Sequence, residues 1–428
     1  MARRFAAARA IALDISPLKE SVPYRALWLG QIVSLIGSNM RYVAVPWQVF
    51  QITHSTVAVG LVGLAEVVPL IALSLFSGAL ADRTDRKRLV AWSQIGLMIA
   101  AIALAIITLQ GDPSIGWIYF LTAVSSAFNA IDRPARGAMM PALVAPDKLS
   151  AAIALRQVVF QTTQIIGPLI GGLLIAAFSV GWVYVIDAVT FLAALYSLRW
   201  VPAVRGEDLH DETAWRSVKE GFRFVTRTPL ILGILVIDLV AMIFGMPRAV
   251  FPALAERIFG MGAGGVGLLY SSISIGALIG ALTTGWVSRV RRHGMAVLLS
   301  VAAWGVAITL AGLTTFSLAL TMFFFAIAGW ADVISAVFRG TMLLDNTPDS
   351  LRGRANAVNI MVVTGGPRLG DIEAGLAAAA FGVVPSIVLG GAACLAGTAL
   401  VAALFPQMRA YLAPDRSVRS ATDSTFGP

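Results

Sequence analysis

ARGAMMPALVAPDKL (135–149) and FRGTMLLDNTPDSL (338–351) are two copies of one pattern, offset by a single residue of slippage. Arg136-Gly137 matches Arg339-Gly340, Met139 matches Met342, and Pro146-Asp147 matches Pro348-Asp349. Working outward, AVGL at 58–61 with Gly78 recurs as GVGL at 265–268 with Gly285, at identical internal spacing. Gly167-Pro168-Leu169-Ile170-Gly171 likewise matches Gly366-Pro367-Arg368-Leu369-Gly370. Between these markers lie long apolar runs, and the matches join the second run to the eighth, the fourth to the tenth and the fifth to the eleventh. The repeat unit is therefore six helices in parallel orientation. Two such bundles around a shared cavity are the plan on which alternating access is built.

Composition says what surrounds those runs. Of 428 residues, 58% are apolar and 13% charged, whereas soluble domains average about 45–50% and about 25%. A lipid solvent leaves backbone groups no water to bond, so only helices or closed barrels can cross it. Barrel strands would appear as alternating segments of about 10 residues, but these runs reach the roughly 20 that a bilayer-spanning helix needs. The expected spans are 25–50, 56–81, 89–109, 117–138, 152–178, 182–201, 230–256, 264–288, 295–314, 317–340, 355–382 and 385–406. They predict an all-α, twelve-span membrane protein with an N-terminal segment 1–24, a first bundle 25–201, a linker 202–229, a second bundle 230–406 and a tail 407–428.

The formal charge of +9 is distributed in short patches between apolar runs, without a continuous basic domain for nucleic acid. Arg83, Arg86, Lys87, Arg88, Arg289, Arg291, Arg292, Arg352 and Arg354 all fall in even-to-odd connections, while 110–116, 179–181, 315–316 and 383–384 carry no Lys or Arg. The positive-inside rule then places both termini in the cytoplasm of a multi-pass cell-membrane protein. Residues 1–24 lack the apolar core and cleavage pattern of a signal peptide. Within the linker, AWRSVKEGFRFV (214–225) alternates apolar and charged residues at helical spacing, as in a helix lying on the membrane surface. Trp28, Trp47, Trp117, Trp182 and Trp200 fall near span ends, where an aromatic belt would anchor the chain.

Catalytic chemistry has little to work with. Cys394 is alone in an apolar run, and His54, His210 and His293 fall in or beside loops, so no His/Cys metal or nucleophile set is expected. No Gly-rich loop ends in Gly-Lys-Ser/Thr, so ATP hydrolysis is not expected either. The chain reads as a non-enzyme without cofactors.

GALADRTDRKR (78–88) resembles the signature loop of the major facilitator superfamily, and the resemblance extends over residues 24 to 408. Gly78, Asp82, Arg83 and Arg86 occupy its pattern, with Asp85 where the family usually has Gly. Gly167, Pro168, Gly171 and Gly172 resemble the motif that marks exporters of the drug:proton antiporter type, although small residues also serve plain helix packing. LWLGQIVSLIGSNMRYVAVPWQVFQIT (27–53), DRPARGAMMPALV (132–144) and GGPRLGDIEAG (365–375) are similar to the enterobactin-exporter branch, which expels siderophores.

Ionisable residues inside spans are costly and usually face a wet cavity. Arg41 in the first span and Arg248 at the corresponding place in the seventh are each followed by a proline, Pro46 and Pro252. The resemblance implies that the first and fourth helices of each half line the cavity, so Arg41, Arg248, Asn39, Gln31 and Asn129 become candidate substrate contacts. Paired guanidinium forks suit an anionic or catechol ligand. Equally open is a structural ion pair with a carboxylate such as Glu66. Candidate proton carriers are Glu66, Asp238 and Asp332, and candidate gate residues are Asp132, Arg136, Arg339, Arg368, Asp371 and Glu373; Arg133, Arg136 and Arg339 could instead snorkel to headgroups. The implied partners are a small-molecule substrate, protons and the bilayer, with the chain a monomer and nucleic acid excluded. The implied function is secondary-active export by proton antiport, with a broad drug or macrolide pump of the same fold, or a non-transporting receptor or scaffold, as alternatives.

Overall fold

The computed structural model describes residues 14–111, 113–204 and 214–413, and within them all side chains but those of 74–83, 214–218 and 288. Twelve long helices succeed one another among the described residues. The first six are α1 Val22–Thr53, α2 Thr56–Arg83, α3 Arg86–Leu109, α4 Ile115–Leu143, α5 Leu149–Ala177 and α6 Val180–Ser197. The linker helix Ala214–Arg227 precedes α7 Pro229–Phe244, α8 Ala263–Leu282, α9 His293–Leu313, α10 Leu318–Asp345, α11 Arg352–Phe381 and α12 Val383–Leu404. Nine of the described helical segments are long and apolar enough to cross a membrane. The other three long helices, α1, α4 and α11, have 32, 29 and 30 residues and carry buried or half-buried ionisable side chains.

Packing repeats with the sequence. In the first half α1 lies on α5 and α6, α2 on α4, and α3 on α4 and α6; in the second α7 lies on α11 and α12, α8 on α10, and α9 on α10 and α12. The halves meet along two seams, α2 with α11 and α5 with α8. Exchanging the halves turns one seam into the other, which is what a pseudo-twofold requires.

Glycine makes both seams close. A Cβ on Gly267 would lie 2.5 Å from the Pro168 carbonyl oxygen, and one on Gly172 would lie 2.7 Å from that of Ala263. Across the other seam, a Cβ on Gly375 would lie 2.5 Å from the Thr56 carbonyl oxygen. Only helices with small residues facing each other approach this far. Polar contacts reinforce the end away from the linker, where the Thr56 hydroxyl donates to Gly375 O at 2.9 Å and Arg257 Nη2 to His54 O at 2.7 Å, and the middle of the α5–α8 seam, where Ser271 donates to Ile165 O at 2.9 Å.

Several helix ends differ from the sequence expectation. α4 runs to Leu143 and α10 to Asp345, beyond the expected 138 and 340, because apolar residues of their last turns, Met139, Met140 and Leu143 and Met342 and Leu343, are buried and hold the extra turn helical. α8 stops at Leu282 and gives way to a tighter turn, Thr284–Arg289. The seventh span is interrupted: α7 ends at Phe244, Gly245 to Pro247 break it, and a short turn Arg248–Val250 leads through Phe251–Ala253 into a widened turn, Leu254–Ile258. Pro247 has no N–H to continue the ladder, which accounts for the break. Asp85, the departure from the family loop, caps α3 by accepting from the Lys87 N–H at 2.9 Å. The side chains of Gly78, Asp82 and Arg83 lie outside the described residues, as does His210.

Trp117, Trp182 and Trp200 are about half exposed. Trp47 is a correction: it is buried in the core of the bundle.

Candidate functional site

Three groups of buried charge lie along the interior. In the first, α1 carries Arg41 into the bundle, where Nη1 lies 3.2 Å from Asp187 Oδ2 on α6 and donates to Ser125 Oγ on α4 at 3.3 Å. Asp187 is fully buried. Beside it, the Tyr184 hydroxyl donates to Gln48 Oε1 at 2.7 Å, and Gln48 donates to Thr108 at 2.9 Å. This set ties α1, α3, α4 and α6 together by charge and hydrogen bonds. Removing one member of a buried pair is costly because the other charge stays behind uncompensated. The carboxylate expected for Arg41 was one such as Glu66; the actual partner is Asp187.

The second group bridges the halves. Arg368 Nε on α11 lies 2.7 Å from Glu66 Oε2 on α2, and Nη1 lies 3.6 Å from Asp371 Oδ2. Arg368 also donates to the Tyr42 hydroxyl at 3.0 Å, with its guanidinium 5.1 Å from that ring's centre. Glu373, expected to join this set, forms no ion pair among the described residues. Nearby, Gln51 on α1 donates to Glu256 at 2.7 Å across the halves. Arg248 sits in the turn after the α7 break and is half-buried. It forms no ion pair among the described residues, and its Nε finds no protein hydrogen-bond partner.

The third group occurs once in each half. Arg339 Nη2 on α10 lies 2.8 Å from Asp238 Oδ1 on α7 and 3.6 Å from Asp332 Oδ1. Arg136 Nε on α4 lies 2.7 Å from Asp132 Oδ2, and Gln94 on α3 donates to Asp132 Oδ1 at 3.0 Å. Arg136 and Arg339 are buried to 5% and 8% exposure, so these two do not snorkel to headgroups, whereas Arg133 is exposed. The reason is their buried carboxylate partners, which hold the guanidinium inside the protein.

The remaining candidates are placed as follows. Asn39 is buried against Gly167, where an added Cβ would touch its own Cβ, so Gly167 and Gly171 pack α5 on α1. Gly366 and Gly370 pack α11 on α7 in the same manner. Asn129 donates to Ser125 O at 3.0 Å, within its own helix. Gln31 lines a crevice with Arg136 between α1, α4 and α5. Arg86 Nη1 donates to Ala138 O at 2.9 Å and its N–H to Val204 O at 3.0 Å, fastening the loop before α3 to the end of α4 and to the segment after α6. No group of His, Cys, Asp and Glu among the described residues is arranged to hold a metal. Sequence reading missed Asp187 and Tyr184. Asp187 did stand out as the one acid of an otherwise apolar span, and that signal was available.

Known proteins agree with this architecture. The chain is 34% identical to the enterobactin exporter EntS of Shigella boydii serotype 18 over 347 residues, 81% of this chain and 83% of that one. The same identity and coverage hold for enterobactin exporter EntS of Escherichia coli O1:K1. Among solved structures, a bacterial homologue of the lysosomal transporter Spinster superposes with a TM-score of 0.69 at 16% identity, covering 90% of this chain and 98% of that one. The nucleoside transporter NupG gives 0.72 at 13% identity, covering 90% and 99%. The sequence profile described as "transmembrane secretion effector" matches residues 12–421. The chain is thus a multi-pass membrane transporter, a member of the transmembrane secretion effector family within the major facilitator superfamily.

Proposed function

We propose that this chain exports a small anionic or amphipathic molecule, a siderophore of the catecholate kind, in exchange for protons and by alternating access. The observation that carries the reading is the interior charge: guanidinium groups of Arg41, Arg248 and Arg368 are drawn into a pseudo-symmetric helical bundle whose curated relatives are named as enterobactin exporters. Arg248 forms no ion pair among the described residues and follows a helix break, and its buried Nε has no protein hydrogen-bond partner. Planar donor forks suit the paired oxygens of a catecholate.

Proton exchange falls to the second half. Asp238 and Asp332 share one guanidinium, so two carboxylates compete for a single positive charge. A proton on either relieves that competition. With the linker end in the cytoplasm, as the basic loops favour, the close-packed glycines of both seams lie toward the outer end. Glu66–Arg368 and Gln51–Glu256 then lie across the outer closure and must part for release outside.

The test is transport by the purified chain in liposomes. Catecholate uptake into vesicles in which the linker end faces outward is expected to follow an imposed pH gradient, and Arg248→Ala is expected to abolish it without loss of folded protein. Normal uptake by both Arg41→Ala and Arg248→Ala would sink the assignment. Uptake of macrolides in place of catecholates would favour a broad drug pump on the same scaffold.

A further inference from the structure

Three amides share one face of α5: Gln157, Gln161 and Gln164, four and three residues apart. Gln157 is exposed, Gln161 and Gln164 are half-buried, and none of the three side chains has a hydrogen-bond partner among the described residues. An amide carries two donors and an acceptor, and hydrocarbon offers them nothing. The helical register turns them elsewhere. Exposed Ile166, Ile170 and Leu173 give α5 an apolar face suited to lipid, and at 3.6 residues per turn that face is centred roughly half a turn from the three amides. Gly167 and Gly171 turn to α1, and Pro168 and Gly172 to α8, so the amides occupy the arc from one neighbour to the other. The close α5–α8 contacts, Gly172 with Ala263, Pro168 with Gly267 and Ile165 with Ser271, lie on the side of the amides away from the linker.

The second half has the same place with a different lining. The matched Gly-Pro segments put Asn356, Ile360 and Val363 of α11 at the positions of Gln157, Gln161 and Gln164. All three are exposed, and Ile360 and Val363 sit roughly half a turn from Leu369 and Leu376, the exposed apolar residues of the opposite face. The pseudo-twofold that exchanges the two seams sets these stretches of α5 and α11 on either side of the axis between the halves. One wall carries free amides, and the other is largely apolar.

We propose that α5 and α11 form opposed walls of the substrate passage at the linker end, where Gln157, Gln161 and Gln164 hydrogen-bond the hydroxyl and amide groups of the transported molecule and Ile360 and Val363 take its apolar face. The walls rest on register and exposure; only the identity of the molecule rests on the exporter reading above. A catechol amide suits both walls, since its hydroxyls and carbonyl lie along the ring edge and its ring faces are apolar. The interior arginines accept any anion, whereas neutral amides distinguish a hydroxylated ring from a plain one. A site built to hydrogen-bond a hydroxyl rejects the analogue that lacks it.

The experiment uses the full chain in liposomes with the linker end facing outward. The sole cysteine, Cys394, is buried and is replaced by alanine as background. Single cysteines are then placed at Gln157, Gln161 and Ile360, and at Ile166 and Leu173 on the opposite face of α5. A membrane-impermeant, charged methanethiosulfonate is expected to modify the first three at least tenfold faster than the last two. Equal, slow modification of both sets would overturn the proposal. Dihydroxybenzamide is expected to slow modification of Gln157→Cys and Gln161→Cys, and benzamide, which lacks the hydroxyls, is expected to slow it less. In vesicles that transport the catecholate, rapid modification that dihydroxybenzamide leaves untouched would make the walls a water-filled passage without recognition, and would overturn the proposal as well. Gln161→Leu should weaken protection about three- to tenfold, the size of one neutral hydrogen bond, and Gln161→Asn should recover part of it, which a merely structural role would not require. Transport is scored separately: rapid, protected labelling without catecholate transport defeats the exporter reading and leaves the walls standing, while catecholate transport with slow labelling at Gln157→Cys does the reverse.

Discussion

The two halves share a fold and differ in charge at one equivalent place. Arg339 is held between Asp238 and Asp332, whereas Arg136 has Asp132 and faces a crevice it shares with Arg156. The difference teaches that equivalent helix packing can hold unequal charge sets, decided by single positions such as Gln31 and Asp238.

The largest effect expected from breaking this contrast is in the second half. Asp238→Asn leaves Arg339 with Asp332 at 3.6 Å, and pH-gradient-driven transport in liposomes should fall to background while gradient-free substrate exchange survives. Undiminished driven transport would remove the second half from the proton path. Next is Arg41→Gln, which strands Asp187 in the core; loss of one member of a buried pair costs about 3–5 kcal/mol. Thermal unfolding should show that loss, and Arg41→Gln combined with Asp187→Asn should regain most of it.

Intermediate in size is Gly172→Val. Its side chain would meet the Ala263 backbone, and overpacking of this sort costs about 1–3 kcal/mol. Paired spin labels at the α5 and α8 ends away from the linker should report a longer distance, and an unaltered distance would show that the seam does not set the closed state. The smallest effect belongs to Glu220→Ala, which removes the half-exposed pair with Arg354 at 2.5 Å and should change stability by less than about 1 kcal/mol.

Most of the fold was legible in the sequence because lipid enforces it. Uninterrupted apolar runs can satisfy their backbone only as helices, and the matched Arg-Gly-x-Met and Gly-Pro segments fix how the halves correspond. The α7 break was readable in principle from Gly245 and Pro247, but proline is common in membrane helices and many, like Pro168 in α5, leave the helix intact. The candidate site was legible as a set of residues and not as a set of partners. Arg41 could be recognised as an intramembrane charge, yet its pairing with Asp187 depends on α1 packing against α6, and one residue gives no hint of that. Glu66 and Arg368 are 302 positions apart and meet only because α2 and α11 form a seam. Arg136 and Arg339 look exposable by their place near span ends, and only their buried acids reveal otherwise.

The interrupted seventh span sets the halves apart in mechanics as well as in charge. α1 is one unbroken rod of 32 residues, whereas its counterpart carries a joint at Gly245–Pro247 with Arg248 immediately beyond it. A load placed on Arg248 acts beside a break in the backbone ladder, whereas the same load on Arg41 acts along a continuous helix.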